Sequence, residues 1–394
     1  MSMDAERLER LKGVLQQVGL DALLLRLPEN IVMTCGVWPM NGFSYGLVTA
    51  ADGPVALVAP ACEDQEMDDF WGSDVRYFGW ARLDAPPDPH ELITAHLRDI
   101  ARTLKIERAR IGYEGSFEAV APSHNAGELL VPTERHRAYL AEVLPDARWQ
   151  DATDLLHGLR ARKTPAEVER LRRSHRIASD GLRKFHQAVE PGVSEAQLAA
   201  VVYGECLNRG VETDGVRHVN VYPQISSGPN AHRAWRPIVT TGPRRLQDGQ
   251  IALLELALCV DGFWADVTRI KVAGRPTTLQ QDAFEAVRRA QQAATDTIKA
   301  GVPAARPHEV ATELLRNLGM DQYMVHLTGH GLGFRYHEPE PFLMPGNDRP
   351  LEVGHVCSVE PGLYHESFGG IRIEDNVAVT EEGADVLTDA PKVL

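Results

Sequence analysis

Ile251-Ala-Leu-Leu-Glu255-Leu-Ala-Leu-Cys-Val260-Asp261-Gly262-Phe263-Trp-Ala-Asp266-Val-Thr-Arg-Ile270-Lys-Val-Ala273 is the stretch whose reading decides the fold. Two strand-like apolar runs meet at Asp261-Gly262, a dipeptide that tolerates positive φ at both positions and so closes a two-residue hairpin. If Val260 pairs with Phe263, Ala257 lies opposite Asp266, and Glu255 leaves the same face of the sheet as Ala257. Two carboxylates then become diagonal neighbours inside an apolar hairpin. Crowded without a cation they repel, and one takes up a proton. A divalent metal resolves the conflict. The plainer alternative is that Asp266 faces solvent and Glu255 merely ends a ladder.

Later segments weigh against that alternative. His326-Leu-Thr-Gly-His330-Gly-Leu-Gly-Phe-Arg-Tyr-His337-Glu338 brings histidines at 326, 330 and 337 together, with glycines flanking His330. Glycine lets backbone and ligand approach closely, as a metal site requires. Val356-Cys-Ser-Val-Glu360-Pro-Gly-Leu-Tyr364 is a strand ending in a glutamate and then a turn. In Gly370-Ile-Arg372-Ile-Glu374-Asp375 the alternation puts Arg372 and Glu374 on one face and Ile371 and Ile373 on the other. Glu255, Asp266, Glu360 and Glu374 could therefore converge with a histidine. That oxygen-rich set suits hard or borderline divalent ions, and its charge would balance two of them.

Outward from this core the chain reads as α+β. Thr164-Pro165-Ala166-Glu167 is a capping box with proline at the first helical position, and the helix it starts runs to Pro191-Gly192. Helices near 194–209, 278–300 and 307–318 and a strand-rich end follow. The first part of the chain reads as a smaller α/β domain: helix 5–18, strands Ala22–Leu25, Tyr45–Thr49, Val55–Ala59 and Arg110–Tyr113, and helices near 90–104 and 136–143. The expected division is residues 1–155 and 156–394, with the chemistry in the second.

At 394 residues a chain with 43% hydrophobic and 24% charged residues is long enough for two cores. Its net charge of −14 argues against nucleic-acid and anionic-membrane partners, which an acidic surface repels. No apolar run reaches the ~20 residues that span a bilayer. The charged start, MSMDAERLERLKGVLQQ, lacks the apolar segment of a secretory signal, and the five cysteines are scattered without CxxC spacing. The expectation is a cytoplasmic protein.

The hairpin carboxylates eleven apart, GHGLG with a second histidine seven residues on, EPGLY and GIRIED together resemble the pita-bread metallopeptidases: methionine aminopeptidase, aminopeptidase P and prolidase. The first domain is similar to that of the Xaa-Pro peptidase and creatinase branch. The resemblance implies a C-terminal pita-bread catalytic domain behind a smaller N-terminal α/β domain. It implies Glu255, Asp266, His330, Glu360 and Glu374 as metal ligands, with Glu360 also handling the proton of the attacking water. His326 and His337 would meet the substrate carbonyl, and Arg372 would orient a carboxylate. One or two divalent ions are implied, Mn²⁺ or Zn²⁺ in preference to Co²⁺ or Fe²⁺, with a small peptide as substrate and a homodimer as assembly. The expected activity is that of an exopeptidase acting on dipeptides or short peptides of Xaa-Pro type.

Two positions depart from the family pattern. Its first ligand is ordinarily Asp, and here it is Glu255, one methylene longer, so a bidentate bridge between two ions need not form. In Ser227-Gly228-Pro-Asn230-Ala-His232-Arg-Ala-Trp235 the family has histidine where Trp235 stands. Trp235 and His232 are therefore candidate substrate contacts, and the specificity implied is open. The alternatives are a carboxypeptidase of the same fold, a creatinase-like amide hydrolase or lyase, and a non-catalytic peptide-binding module.

Overall fold

A computed structural model describes residues 4–39, 43–51, 53–79, 88–115, 133–236 and 241–394. The chain divides into two compact units, Met1–Arg160 and Ala161–Leu394.

The first unit is α/β. Its strands are β1 (Ala22–Leu25), β2 (Tyr45–Thr49), β3 (Ala56–Pro60), β4 (Asp74–Phe78), β5 (Arg110–Tyr113) and β6 (Arg148–Asp151). They form one sheet in the order β4-β3-β2-β1-β5-β6. Its helices are α1 (Ala5–Val18), α2 (Pro28–Cys35), α3 (Pro89–Leu104), α4 (Glu134–Val143) and α5 (Thr153–Ala161), the last running into the second unit. Strands β1, β2, β3 and β5 are apolar and almost wholly buried. One core joins them to the inner faces of α3 and α4 through Ile93, Leu97, Ile100, Leu140 and Val143. Such near-continuous apolar strands are what a sheet covered on both faces needs.

The second unit is built around an antiparallel sheet of β7 (Val219–Ser227), β8 (Ile251–Val260) and β9 (Phe263–Val272). Asp261 and Gly262 have φ of 48° and 87°, and the register pairs Val260 with Phe263, Ala257 with Asp266 and Glu255 with Thr268. The two-residue turn and the register are those the sequence predicts. Helices α6 (Pro165–Ala188) and α7 (Glu195–Glu212), each started by a capping box, cover one face of this sheet. That face carries Leu254, Leu256, Leu258, Ala265 and Val267. The opposite face carries Ile251, Leu253, Ile270 and Val272, which pack with α8 (Thr278–Asp296) and α9 (Arg306–Asn317). Alanines 283, 286, 290 and 294 of α8 share that core at helical spacing, a small-residue stripe that lets the helix lie close to the strands.

The remaining strands are β10 (Gly329–Gly331), β11 (Glu338–Leu343), β12 (Val356–Val359), β13 (Gly362–His365), β14 (Gly369–Arg372), β15 (Asp375–Val379) and β16 (Ala384–Val386). They form a five-stranded sheet in the order β11-β10-β12-β15-β16 and the hairpin β13-β14. Glu255 and Asp266 project from the same face as Leu253 and Ile270, so they point into the layer these strands fill. Each later ligand candidate sits on or beside one of them: His330 in β10, Glu360 after β12 and Glu374 before β15. No helix among the described residues is long and apolar enough to cross a membrane.

Candidate metal centre

His330 is the hub. Its Nε2 lies 3.3 Å from Asp266 Oδ2 and 3.4 Å from Glu360 Oε1. Its Nδ1 is 2.9 Å from the Gly331 carbonyl. A carbonyl oxygen can only accept, so Nδ1 carries a hydrogen, and Nε2 is the nitrogen that faces the carboxylates. The glycines around it are demanded by packing: a Cβ on Gly329 would stand 2.0 Å from the Ser358 carbonyl oxygen, and one on Gly331 2.0 Å from that of Glu340. Glu374, His330 and Glu360 come together, as do Glu255, Asp266 and Glu374, each set offering ligand atoms within 4.8 Å of one another. Asp266, His330 and His337 make a third such set. All five ligand candidates thus meet in one place.

Backbone tethers hold them there. The Asp266 amide donates to Asn376 Oδ1 at 2.9 Å. The Glu374 amide donates to the Thr268 carbonyl at 3.2 Å, and the Glu360 amide to that of Thr328 at 2.7 Å. The buried guanidinium of Arg269 donates to the Glu374 carbonyl at 2.8 Å and pairs with Asp375 Oδ1 at 2.7 Å, pinning the start of β15. Ser358 Oγ donates to Glu360 Oε1 at 3.2 Å.

The carboxylates are not equivalent. Burial pushes Asp266 and Glu374 well above the usual carboxylate range, and the neighbouring carboxylates push them further. Burial acts on Glu255 too, but the Arg372 guanidinium, with hydrogen bonds from Thr268 and Tyr336, outweighs it and leaves that carboxyl below its usual range. Arg372 Nη2 pairs directly with Glu255 Oε2. Thr268 Oγ1 stands 2.6 Å from the same oxygen and 2.7 Å from Glu374 Oε2, while accepting from Arg372 Nε at 2.9 Å.

Asp266 Oδ1 and Glu374 Oε1 are buried and have no hydrogen-bond donor. A buried acceptor left without a partner costs about 1–3 kcal/mol, more when charged. Two such oxygens, on carboxylates that cluster with the His330 imidazole and the Glu360 carboxylate, belong to a donor set that a divalent cation satisfies. The residues fit a metal.

The family model described as metallopeptidase family M24 matches residues 169–381. The chain belongs to metallopeptidase family M24. It is a hydrolase of the metal-dependent kind, and a creatinase/prolidase N-terminal domain matches residues 7–162. It is 30% identical to the Xaa-Pro dipeptidase of Lactobacillus helveticus over 89% of this chain and 87% of that protein. It is 25% identical to the Xaa-Pro dipeptidase of Pyrococcus furiosus over 99% of each. Among solved structures, the Xaa-Pro dipeptidase from Bacillus anthracis superposes with a TM-score of 0.79 at 23% identity, over 99% of this chain and 98% of that one. Dipeptidase PepE from Mycobacterium ulcerans gives 0.73 at 28% identity, over 100% and 99%. The fold is the two-domain pita-bread one, and the M24 assignment brings divalent metal with it.

Of the other predicted residues, His337 and His326 join this cluster, whereas His232 and Trp235 lie on the segment that follows β7. His337 is in the cluster, its Nε2 3.9 Å from Asp266 Oδ2 and its ring 4.2 Å from that of His330. His326 reaches it through Tyr364: its Nδ1 is 2.7 Å from the Leu327 carbonyl and its Nε2 2.9 Å from the Tyr364 hydroxyl, which also accepts from Arg372 Nη1 at 3.3 Å. His232 lies in the short 3-10 turn Gly228–Arg233, with Nε2 3.8 Å from Glu366 Oε1, and lines a cleft of about 510 Å³ with Asn230, Gln250 and Gln280. Trp235, just beyond, is 42% exposed, with the Arg236 guanidinium 5.7 Å from its ring. Sequence reasoning missed Thr268, Tyr336, Tyr364 and Asn376. The hairpin register already placed Thr268 opposite Glu255. Tyr336 carried no signal beyond its place next to His337.

Proposed function

We propose that this chain is an exopeptidase that cleaves dipeptides or short peptides, Xaa-Pro dipeptides first among them, with a metal-activated water. Asp266, His330, Glu360 and Glu374 would hold the metal, with Glu255 beside them. The observation that carries the reading is that Asp266 and Glu374, which cluster with His330, each keep a buried oxygen with no donor, Oδ1 and Oε1. A divalent cation held by these residues would polarise an amide carbonyl and bring the pKa of a water toward neutrality.

The chain's own residues do the rest. Glu360, its Oε1 accepting from Ser358, takes the proton of the attacking water on its carboxylate and returns it to the departing amine. His337, with its ring 4.2 Å from those of His330 and Tyr336, would donate to the developing oxyanion. His326, tied to the Tyr364 hydroxyl, supports that side of the carbonyl. Arg372 fixes Glu255. The donor set favours Mn²⁺ or Zn²⁺, with Co²⁺ and Fe²⁺ usable. Cys35, Cys206, Cys259 and Cys357 are buried thiols, which suits a reducing cytoplasm, and a homodimer is the proposed assembly.

Trp235 supports a second reading at the level of specificity. An exposed indole is an apolar wall, and substrates with a bulky apolar side chain would gain from it, including ones trimmed from the carboxyl end.

Glu360→Gln is expected to abolish hydrolysis across a dipeptide and tripeptide panel while circular dichroism stays unchanged. Undiminished turnover by that variant would remove Glu360 from the chemistry and the mechanism with it.

A further inference from the structure

Resting on the metallopeptidase reading of this site, the asymmetry among its carboxylates decides how many ions it takes. An ionised carboxylate has about four acceptor positions. At Glu255 they are largely committed. Oε1 accepts from the Tyr336 hydroxyl at 2.5 Å. Oε2 accepts from the Arg372 guanidinium and shares the Thr268 hydroxyl with Glu374. Asp266 and Glu374 each keep one oxygen with no donor at all. Bridging two cations needs both oxygens of Glu255 turned outward, and these donors hold both.

Charge points the same way. Arg372 is buried, and its Nη2 touches Glu255 Oε2, so a second dication drawn to that oxygen would meet a fixed positive charge at contact range in a low-dielectric pocket. Tyr336 cannot readily swing away. It is 5% exposed, its ring lies 6.0 Å from that of Trp264, and Trp264 is stacked on Tyr222 at 6.0 Å and 15°. The longer glutamate side chain reaches into this set of donors, and the aromatic wall keeps the phenol aimed at it.

We propose that the centre holds one tightly bound divalent cation, on Asp266, His330, Glu360 and Glu374, and that Tyr336 and Arg372 hold Glu255 out of the bridging position a second ion requires. Tyr336 is a positioning residue: it acts on the metal through Glu255.

The test is metal stoichiometry, read without turnover. Full-length protein stripped of metal is dialysed against Mn²⁺, and bound metal is counted by elemental analysis alongside the electron paramagnetic resonance spectrum. One equivalent per chain, with the spectrum of an isolated ion, is the expected result, and Asp266→Asn should lose that equivalent. Tyr336→Phe, which frees Glu255 Oε1, should take up a second, weaker equivalent, and the double variant Tyr336→Phe/Glu255→Asp a firmer one. Two equivalents in the unaltered protein with a spin-coupled spectrum would overturn the proposal while leaving the metallopeptidase reading intact. No Mn²⁺ bound at all would overturn both.

Discussion

Lys163 and Glu338 show how residues outside the ligand set hold it in place. The ammonium and the carboxylate are both essentially unexposed and sit 2.6 Å apart. Glu338 Oε1 also accepts from the Phe334 and Arg335 amides at 2.9 and 3.2 Å, so it shapes the loop that carries His337. Removing one partner of a buried pair strands the other charge, at a cost of about 3–5 kcal/mol. Lys163→Met should lower the urea midpoint accordingly, and the double change Lys163→Met/Glu338→Gln should recover much of the loss. A double variant no better than the single would mean the pair's charge is not what matters. Nothing in the sequence signals this pair, because its members are 175 positions apart and each reads as an ordinary surface charge. The ligand candidates were legible for the opposite reason: carboxylates and a histidine set in apolar or glycine-rich surroundings stand out. Tyr336 and Tyr364 stayed hidden because a tyrosine's neighbours in sequence look the same whether its hydroxyl has a task or not.

At the scale of elements, what could be read was what has a period. The β8–β9 hairpin came through with its register because alternation and Asp-Gly agree, and the helices with capping boxes came through at their N-termini. Strand β7 did not, since Pro223 lies in its middle, which argues against a strand unless it is an edge; β7 is the edge of its sheet. Strands β4 and β6, with sequences DVRYF and RWQD, are polar and partly exposed, so no apolar period marks them. Strand β10 is three residues of Gly-His-Gly and has no pattern to read. Its glycines nonetheless carry a prediction. Gly331→Ala puts a methyl group 2.0 Å from the backbone oxygen of Glu340 in the paired strand β11, and a backbone cannot yield as a side chain does. Strand β10 must shift, and His330 with it. Metal affinity should fall about 10- to 100-fold, the range seen when a ligand's support is lost, by competition with a chelating dye. Unchanged affinity would show that β10 has slack the packing does not suggest.

At the scale of the whole molecule, the buried titratable groups make stability depend on pH, and in the first unit two of them oppose each other. Glu114 is buried at the end of β5, where its Oε1 accepts from the Leu27 amide and the Asn30 side chain at 3.0 Å; burial raises it to about 7. His136 in α4 packs its ring 5.9 Å from that of Tyr45, and burial lowers it to about 4. Between pH 4.5 and 7 the folded unit holds a proton on Glu114 that the unfolded chain has released, so this group's contribution is greatest in acid and is lost as pH rises. Between pH 4 and 6.5 the unfolded chain protonates the histidine and the folded unit does not, so that contribution is lost as pH falls. Each slope is about 1.4 kcal/mol per pH unit, of opposite sign. Where the windows overlap, from about pH 4.5 to 6.5, the two nearly cancel, and the first unit should hold level. Glu114→Gln keeps an acceptor for Leu27 and removes the titration, so it should make this unit lose stability on acidification. His136→Phe should do the reverse, making it lose stability as pH rises toward 7. Hydrogen exchange at the Leu27 amide, corrected for the intrinsic pH dependence of exchange, reads both. If neither variant changes the slope, the two groups do not titrate in these windows, and the surroundings drawn for them are wrong.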